Sequence, residues 1–185
     1  MNKSVLLIVD VQTGLIEKSP YNKDVMLENI EKLISVARNN GIEIIYVRHC
    51  NDAGALGIRT SGWEIYEGIK PPQTEKQTDM QSDKVFDKKY CSAFKETNLK
   101  EYLDEKGIRT IILSGMQTEY CIDTTCRVAF EYGYSVIIPK NGTTTFDNGI
   151  FKAHEILNHY EQNIWDKRFA SVMSVEEIAE NILLN

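Results

Sequence analysis

Three residues of complementary chemistry stand where strands should end. Asp10 closes the run VLLIVD, Lys88 follows the extended stretch Lys84-Val85-Phe86-Asp87, and Cys121 comes just after IILSG. A carboxylate can take a thiol proton as general base, and the thiolate can attack a carbonyl carbon. An ammonium can hold both in place. If the fold gathers them, the trio is an acyl-transfer constellation. Residues 111–126 read IILSGMQTEYCIDTTC: an apolar strand, a glycine turn at Gly115, then Cys121 in the first turn of a helix. Backbone dipoles at a helix start favour a thiolate. Each residue alone has a plainer reading. A cysteine is most often a small buried hydrophobe, an aspartate at a strand end forms a turn or a helix cap, and a lysine is usually a solvated charge. Only their joint placement argues for catalysis.

That placement requires an open sheet with its strand ends on one rim. The chain alternates short apolar runs with amphipathic stretches: a strand over 5–9, a helix with Met26, Ile30, Leu33, Ile34 and Ala37 inward, and a strand over 42–47 after Gly41. A helix with Leu99, Tyr102 and Leu103 stops at Gly107 before a strand over 110–114. The helix carrying Cys121 then runs to Gly133, followed by a strand over 134–139 and a helix marked by Ala153, Leu157 and Tyr160. A strand over 169–173 and a helix opened by the capping box Ser174-Val175-Glu176-Glu177 close the series. Uninterrupted apolar strands imply burial on both faces. The expected fold is a three-layer, Rossmann-like α/β domain over residues 1–185, with about six mostly parallel strands and helices on both faces. Ligands of such sheets bind beyond the carboxyl ends of the strands. One segment breaks the rhythm. Residues 49–84 form a connection far longer than the ~2 to 6 residues usual between such elements, and such loops generally serve a site. Trp63 within it suits a pocket wall or a subunit contact, or equally a cap over the core.

Composition narrows the ligand. A net charge of -6 and no basic cluster longer than Lys88-Lys89 leave no electrostatic footprint for nucleic acid or anionic lipid. A small neutral or cationic ligand is expected. The first apolar run is too short for a signal sequence or a membrane span, so a cytoplasmic protein is expected. Four cysteines at 50, 91, 121 and 126 form no CxxC pair, so reduced thiols are expected rather than a disulfide framework. The first strand-to-helix turn lacks G-x-G-x-x-G, no G-x-x-x-x-G-K-[ST] occurs, and the histidines of HEILNH (154–159) are five apart instead of four. No cofactor is expected.

The segments LLIVDVQ (6–12), KKYCSAF (88–94) and GMQTEYCIDTTCR (115–127) resemble the three signatures of the isochorismatase-like cysteine hydrolases, a superfamily that includes nicotinamidases and N-carbamoylsarcosine amidases. Motifs carry the resemblance from residue 4 to about 139, and element order alone carries it beyond. It implies a catalytic triad of Asp10, Lys88 and Cys121. The family's lysine precedes the serine of S-A-F by four residues, which selects Lys88 over Lys89. It also implies a non-proline cis peptide at Met116-Gln117 and an oxyanion hole from the backbone N–H groups of Gln117 and Cys121. True isochorismatases lack the nucleophilic cysteine, so its presence favours amide or related C–N cleavage. Nicotinamidases carry a metal site of an aspartate and several histidines after the second strand, where this chain has only Val47-Arg48-His49, so no catalytic metal is expected. His49 and Trp63 are candidate pocket residues, with a hydrogen-bonded structural role the competing assignment for His49. The implied activity is metal-free hydrolysis of a small amide through a thioester, in a homodimer or higher homo-oligomer whose second subunit helps shape the pocket. Two other readings compete. One is a binding or regulatory module without turnover on the same fold. The other is a receiver-like domain phosphorylated on Asp10, which would want further acidic residues beside the first strand, where Ile8 and Val9 stand.

Overall fold

The computed structural model describes residues 3–71 and 83–183. Among these residues seven strands form one sheet: β1 (Lys3–Val9), β2 (Glu43–His49), β3 (Lys84–Lys88), β4 (Ile108–Met116), β5 (Ser135–Pro139), β6 (Thr143–Thr144) and β7 (Ser171–Met173). Their order is β3-β2-β1-β4-β5-β7, with the two-residue β6 beside the end of β4, and every pairing is parallel. Six α-helices accompany them: α1 (Thr13–Ile16), α2 (Lys23–Asn39), α3 (Leu99–Glu105), α4 (Asp123–Glu131), α5 (Ala153–His159) and α6 (Val175–Leu183). This is the three-layer parallel α/β fold that the alternation of elements predicts.

The period of two along each strand sorts the core into two layers. Val5, Leu7 and Val9 of β1 face one side with Leu99 and Leu103 of α3, Ile122, Cys126 and Ala129 around α4, and Trp165. Leu6 and Ile8 face the other side with Met26, Ile30, Leu33 and Ile34 of α2 and Val175 and Ile178 of α6. Cys126 is therefore core filling. The capping box at the last helix is reciprocal: the Ser174 N–H donates to Glu177 Oε2 at 2.8 Å and the Glu177 N–H to Ser174 Oγ at 3.1 Å. All four cysteines are free thiols. Among the described residues no helix is long and apolar enough to cross a membrane.

Two features bear on the rim, and the first differs from the sequence expectation. Cys121 lies not in the first turn of an α-helix but in a π-helical turn, Thr118–Ile122, that precedes α4. The described part of the long connection after β2 also has structure of its own. It contains 3₁₀ turns at Ser61–Trp63 and Glu67–Ile69, and it is fastened to the start of the chain by Thr13 N–H to Glu64 O at 2.9 Å and Tyr66 N–H to Val11 O at 3.0 Å. Its residues 72–82, Pro72 among them, lie outside the described residues.

At the carboxyl edge of the sheet β1 and β4 approach closely where Val9 pairs with Gly115. Gly115 has φ +127°, and a Cβ there would stand 2.0 Å from the Val9 carbonyl oxygen. Only glycine fits, because a side chain would meet backbone that cannot move without parting two central strands. Gly115→Ala is therefore expected to lose about 2 to 4 kcal/mol of stability in urea unfolding, by strain and steric overlap together; a loss under about 0.5 kcal/mol would show that the strands can part there freely.

Candidate active site

The strand order carries the candidate residues to neighbouring positions. Lys88 ends β3, His49 ends β2 and pairs with it in register, Asp10 follows β1, and Cys121 follows the turn after β4. Asp10 leaves the strand in a left-handed conformation, φ 57°, which Asp tolerates better than most residues. Its N–H is held by Val47 O at 2.8 Å. The peptide bond between Met116 and Gln117 is cis. The Gln117 carbonyl then accepts from the N–H groups of Tyr120 and Ile122 at 3.1 and 3.2 Å, which shapes the turn that presents Cys121.

At the centre stands the Lys88 ammonium. Its side chain has 0% exposure and that of Asp10 3%. Lys88 Nζ donates to Asp10 Oδ2 at 2.6 Å and to the Tyr90 carbonyl at 3.1 Å, and lies 3.3 Å from both Cys121 Sγ and His49 Nδ1. The other oxygen of Asp10, Oδ1, is buried and has no hydrogen-bond partner. The structure thus gathers Asp10, His49, Lys88 and Cys121. Trp63 is placed differently. Its ring lies under the Arg48 guanidinium at 3.5 Å and its Nε1–H points at Cys50 Sγ at 3.0 Å, while Arg48 is also paired with Asp87 at 2.8 Å. The backbone carbonyl of Trp63 is what ties it to the rim.

That backbone link runs through Gln12, to which the sequence analysis gives no role. Gln12 is fully buried; its Nε2 donates to the carbonyls of His49 at 3.0 Å and Trp63 at 2.8 Å, and its Oε1 accepts the His49 N–H at 2.9 Å. One amide side chain therefore fixes His49 and ties the long loop to the rim. A polar residue two positions past Asp10 was the available signal, but its partners lie 37 and 51 residues away.

Charge and burial set the protonation states. The Cys121 thiol is pushed well above the ordinary thiol range, by burial first and by the Asp10 carboxylate second, with Lys88 opposing both. The expectation that a helix start would favour the thiolate fails here, because desolvation and a neighbouring carboxylate outweigh any backbone dipole. For Lys88 burial disfavours the ammonium, yet Asp10 and Cys121 together outweigh it and its pKa is raised. Burial and the nearby Lys88 lower the pKa of His49. These directions favour a thiol at Cys121, an ammonium at Lys88 and a neutral imidazole at His49. Ligand atoms of Asp10, His49 and Cys121 all lie within 4.8 Å of one another, a spacing a divalent cation could use. The Lys88 ammonium already stands among them as the cation of the site.

Comparison with known proteins gives consistent findings. The isochorismatase domain family matches residues 4–177. A crystal structure of an isochorismatase family protein superposes with a TM-score of 0.82 at 32% identity, covering 92% of this chain and 98% of that one. Nicotinamidase 3 of Arabidopsis thaliana is 29% identical over 81% of this chain and 77% of its own length. A streptothricin hydrolase of Streptomyces noursei is 27% identical over 77% of this chain and 50% of its own length.

The opposed effects of Asp10 and Lys88 on the thiol can be separated by following iodoacetamide alkylation of Cys121 against pH. Asp10→Asn should move the alkylation pKa down and Lys88→Met should move it up, each by about one pH unit or more. Movement in the same direction in both variants would contradict the charge arrangement.

Proposed function

Because the chain belongs to the isochorismatase family of hydrolases, we propose that it cleaves the C–N bond of a small amide through a thioester on Cys121. One observation carries this reading. A single buried ammonium donates to Asp10 and stands 3.3 Å from Cys121 Sγ, while the second oxygen of Asp10 is left without a partner. A carboxylate needs a free lone pair to accept a proton, and a nucleophile needs a base within reach.

The thiol proton passes to Asp10 as Sγ bonds to the amide carbon. A carboxylic acid next to a thiolate keeps the net charge of the buried site unchanged, which release of the proton to solvent would not. Lys88 keeps its three protons throughout and supplies the fixed positive charge that holds base and nucleophile together. The backbone N–H groups of Gln117 and Cys121 receive the oxygen as it becomes anionic. Asp10 returns the proton to the departing nitrogen, and the acyl group remains on sulfur. Asp10, a carboxylate again, then takes a proton from water as that water attacks the thioester and passes it to Sγ as the C–S bond breaks; the acid departs and the thiol is restored. No step draws on a metal. His49, and the long loop tied down by Gln12, bound the space beside the nucleophile. The names of the nicotinamidase and the streptothricin hydrolase agree with a hydrolase of small molecules. Assembly as a homodimer or higher homo-oligomer is part of the same proposal, with exposed Ile150 and Phe151 between β6 and α5 as apolar surface available to a second copy.

Cys121→Ala should retain the fold by circular dichroism and lose at least about a thousandfold in kcat/KM on any small amide the wild-type protein hydrolyses. Acid quench of the wild-type reaction should leave an acyl adduct on the Cys121 peptide by mass spectrometry. An active alanine variant would remove the thioester, and a wild-type protein that binds amides without turnover would favour the binding module.

A further inference from the structure

An ammonium has three protons, and Lys88 Nζ faces four acceptors. Asp10 Oδ2 at 2.6 Å and the Tyr90 carbonyl at 3.1 Å take two of them. Cys121 Sγ and His49 Nδ1, both at 3.3 Å, compete for the third. We propose that His49 is a positioning residue that holds this third Lys88 proton while Cys121 is a thiol and yields it to Sγ as the thiolate forms. The proposal deepens the amide-hydrolase reading and rests on it only in calling Sγ the nucleophile.

The chemistry of the acceptors decides where the proton sits. A thiol sulfur is a weak acceptor, whereas an imidazole nitrogen is a good one. A thiolate reverses the preference, because a charge-assisted hydrogen bond is roughly twice as strong as a neutral one. The step needs no additional proton. The S–H proton goes to Asp10, and one Lys88 N–H changes acceptor without its covalent bond breaking.

His49 is built for this role on three sides. An ammonium only donates, so Nδ1 must be the unprotonated nitrogen and Nε2 must carry the hydrogen, which points to Asn51 Oδ1 at 3.1 Å. The main chain of His49 is clamped by Gln12 from both its N–H and its C=O. The charged and titratable groups around the ring are Lys88, Asp10 and Cys121, and burial together with Lys88 favours the neutral imidazole that can accept. A partner that is satisfied only in the thiol state opposes formation of the thiolate. His49 would therefore keep the nucleophile protonated until substrate arrives, which protects a buried sulfur from adventitious oxidation.

The test compares the Cys121 alkylation pKa in wild type, His49→Leu and His49→Asn. Leucine removes the acceptor without admitting water, leaving one Lys88 proton with only sulfur to serve. Its alkylation pKa should fall by about one pH unit, giving about tenfold more thiolate at any lower pH. Greater apolar burial alone would move that pKa upward. Asparagine places an amide oxygen near the position of Nδ1 and should restore the wild-type value. An unchanged or raised pKa in His49→Leu, or an equal fall in His49→Asn, overturns the proposal. If the leucine variant does not fold, the ring ¹⁵N shifts of His49 in the wild-type protein decide: an Nε2–H tautomer with Nδ1 accepting is required, and an Nδ1–H tautomer is fatal. Neither readout involves turnover. An inactive protein with the required tautomer and pKa changes would retire the hydrolase reading alone, and an active amidase with the Nδ1–H tautomer would retire this one alone.

Discussion

A lysine ammonium withdrawn from water can persist in a protein interior only if its surroundings replace the hydration it has lost. Here they do so with one carboxylate, one carbonyl, one sulfur and one imidazole nitrogen, and the rest of the rim follows from that requirement. Each of the four side chains involved belongs to one of four adjacent strands in the order β3, β2, β1, β4: Lys88, His49, Asp10, and Cys121 on the turn beyond β4. The parallel sheet is thus more than a support. Its strand order is what turns residues 10, 49, 88 and 121 into neighbours, and its ladder fixes their spacing. Removing one member of a buried ion pair leaves the other uncompensated, at about 3 to 5 kcal/mol. Lys88 and Asp10 therefore answer to stability as well as to chemistry.

Further out, the structure is arranged to keep that geometry rigid. Gly115 lets β4 pass close to Val9, so that the turn bearing Cys121 begins beside Asp10. The Gly142 carbonyl accepts the Gly115 N–H at 3.1 Å and the Ser114 hydroxyl, pinning the last residues of β4 from the β6 side. Gln12 does the equivalent on the other side, binding β2 and the long loop to the end of β1. A site whose base, cation and nucleophile are each anchored to separate strands needs such ties, since a misplacement of 1 Å can cost a hundredfold in rate.

Much of this was legible in the chain because it depends on local pattern. The strands are continuous apolar runs such as VLLIV, and the helices show a 3.6-residue spacing ended by Gly41, Gly107 and Gly133, so the alternation of elements could be read directly. Strand-end position brought Asp10, Lys88 and Cys121 to attention, motif resemblance joined them as a triad, and the isochorismatase domain match agrees with the family it suggested. The state of the thiol was not legible. A cysteine near a helix start suggests a thiolate, but the sign of the shift is set by burial and by a carboxylate 111 residues away in the chain. Nor could sequence reveal Gln12 as the clamp, since its three hydrogen bonds all reach across the long loop or the neighbouring strand. For Trp63 the sequence left a pocket wall, a subunit contact and a cap over the core open; in the structure its ring packs on Arg48 and its Nε1–H points at Cys50.

The account stands or falls on the charge of Lys88. If the amino group is the permanent cation of the site, then Asp10 is free to serve as the base and the thiol proton has somewhere to go. If it is a neutral amine, the roles of lysine and aspartate exchange. Direct observation of the Lys88 Nζ resonance by ¹⁵N-detected NMR across the pH range, assigned with Lys88→Met, measures that charge. The account predicts an ammonium that persists above the pH at which exposed lysines titrate, because Asp10 and Cys121 raise its pKa. A neutral Lys88 amine at neutral pH would contradict it.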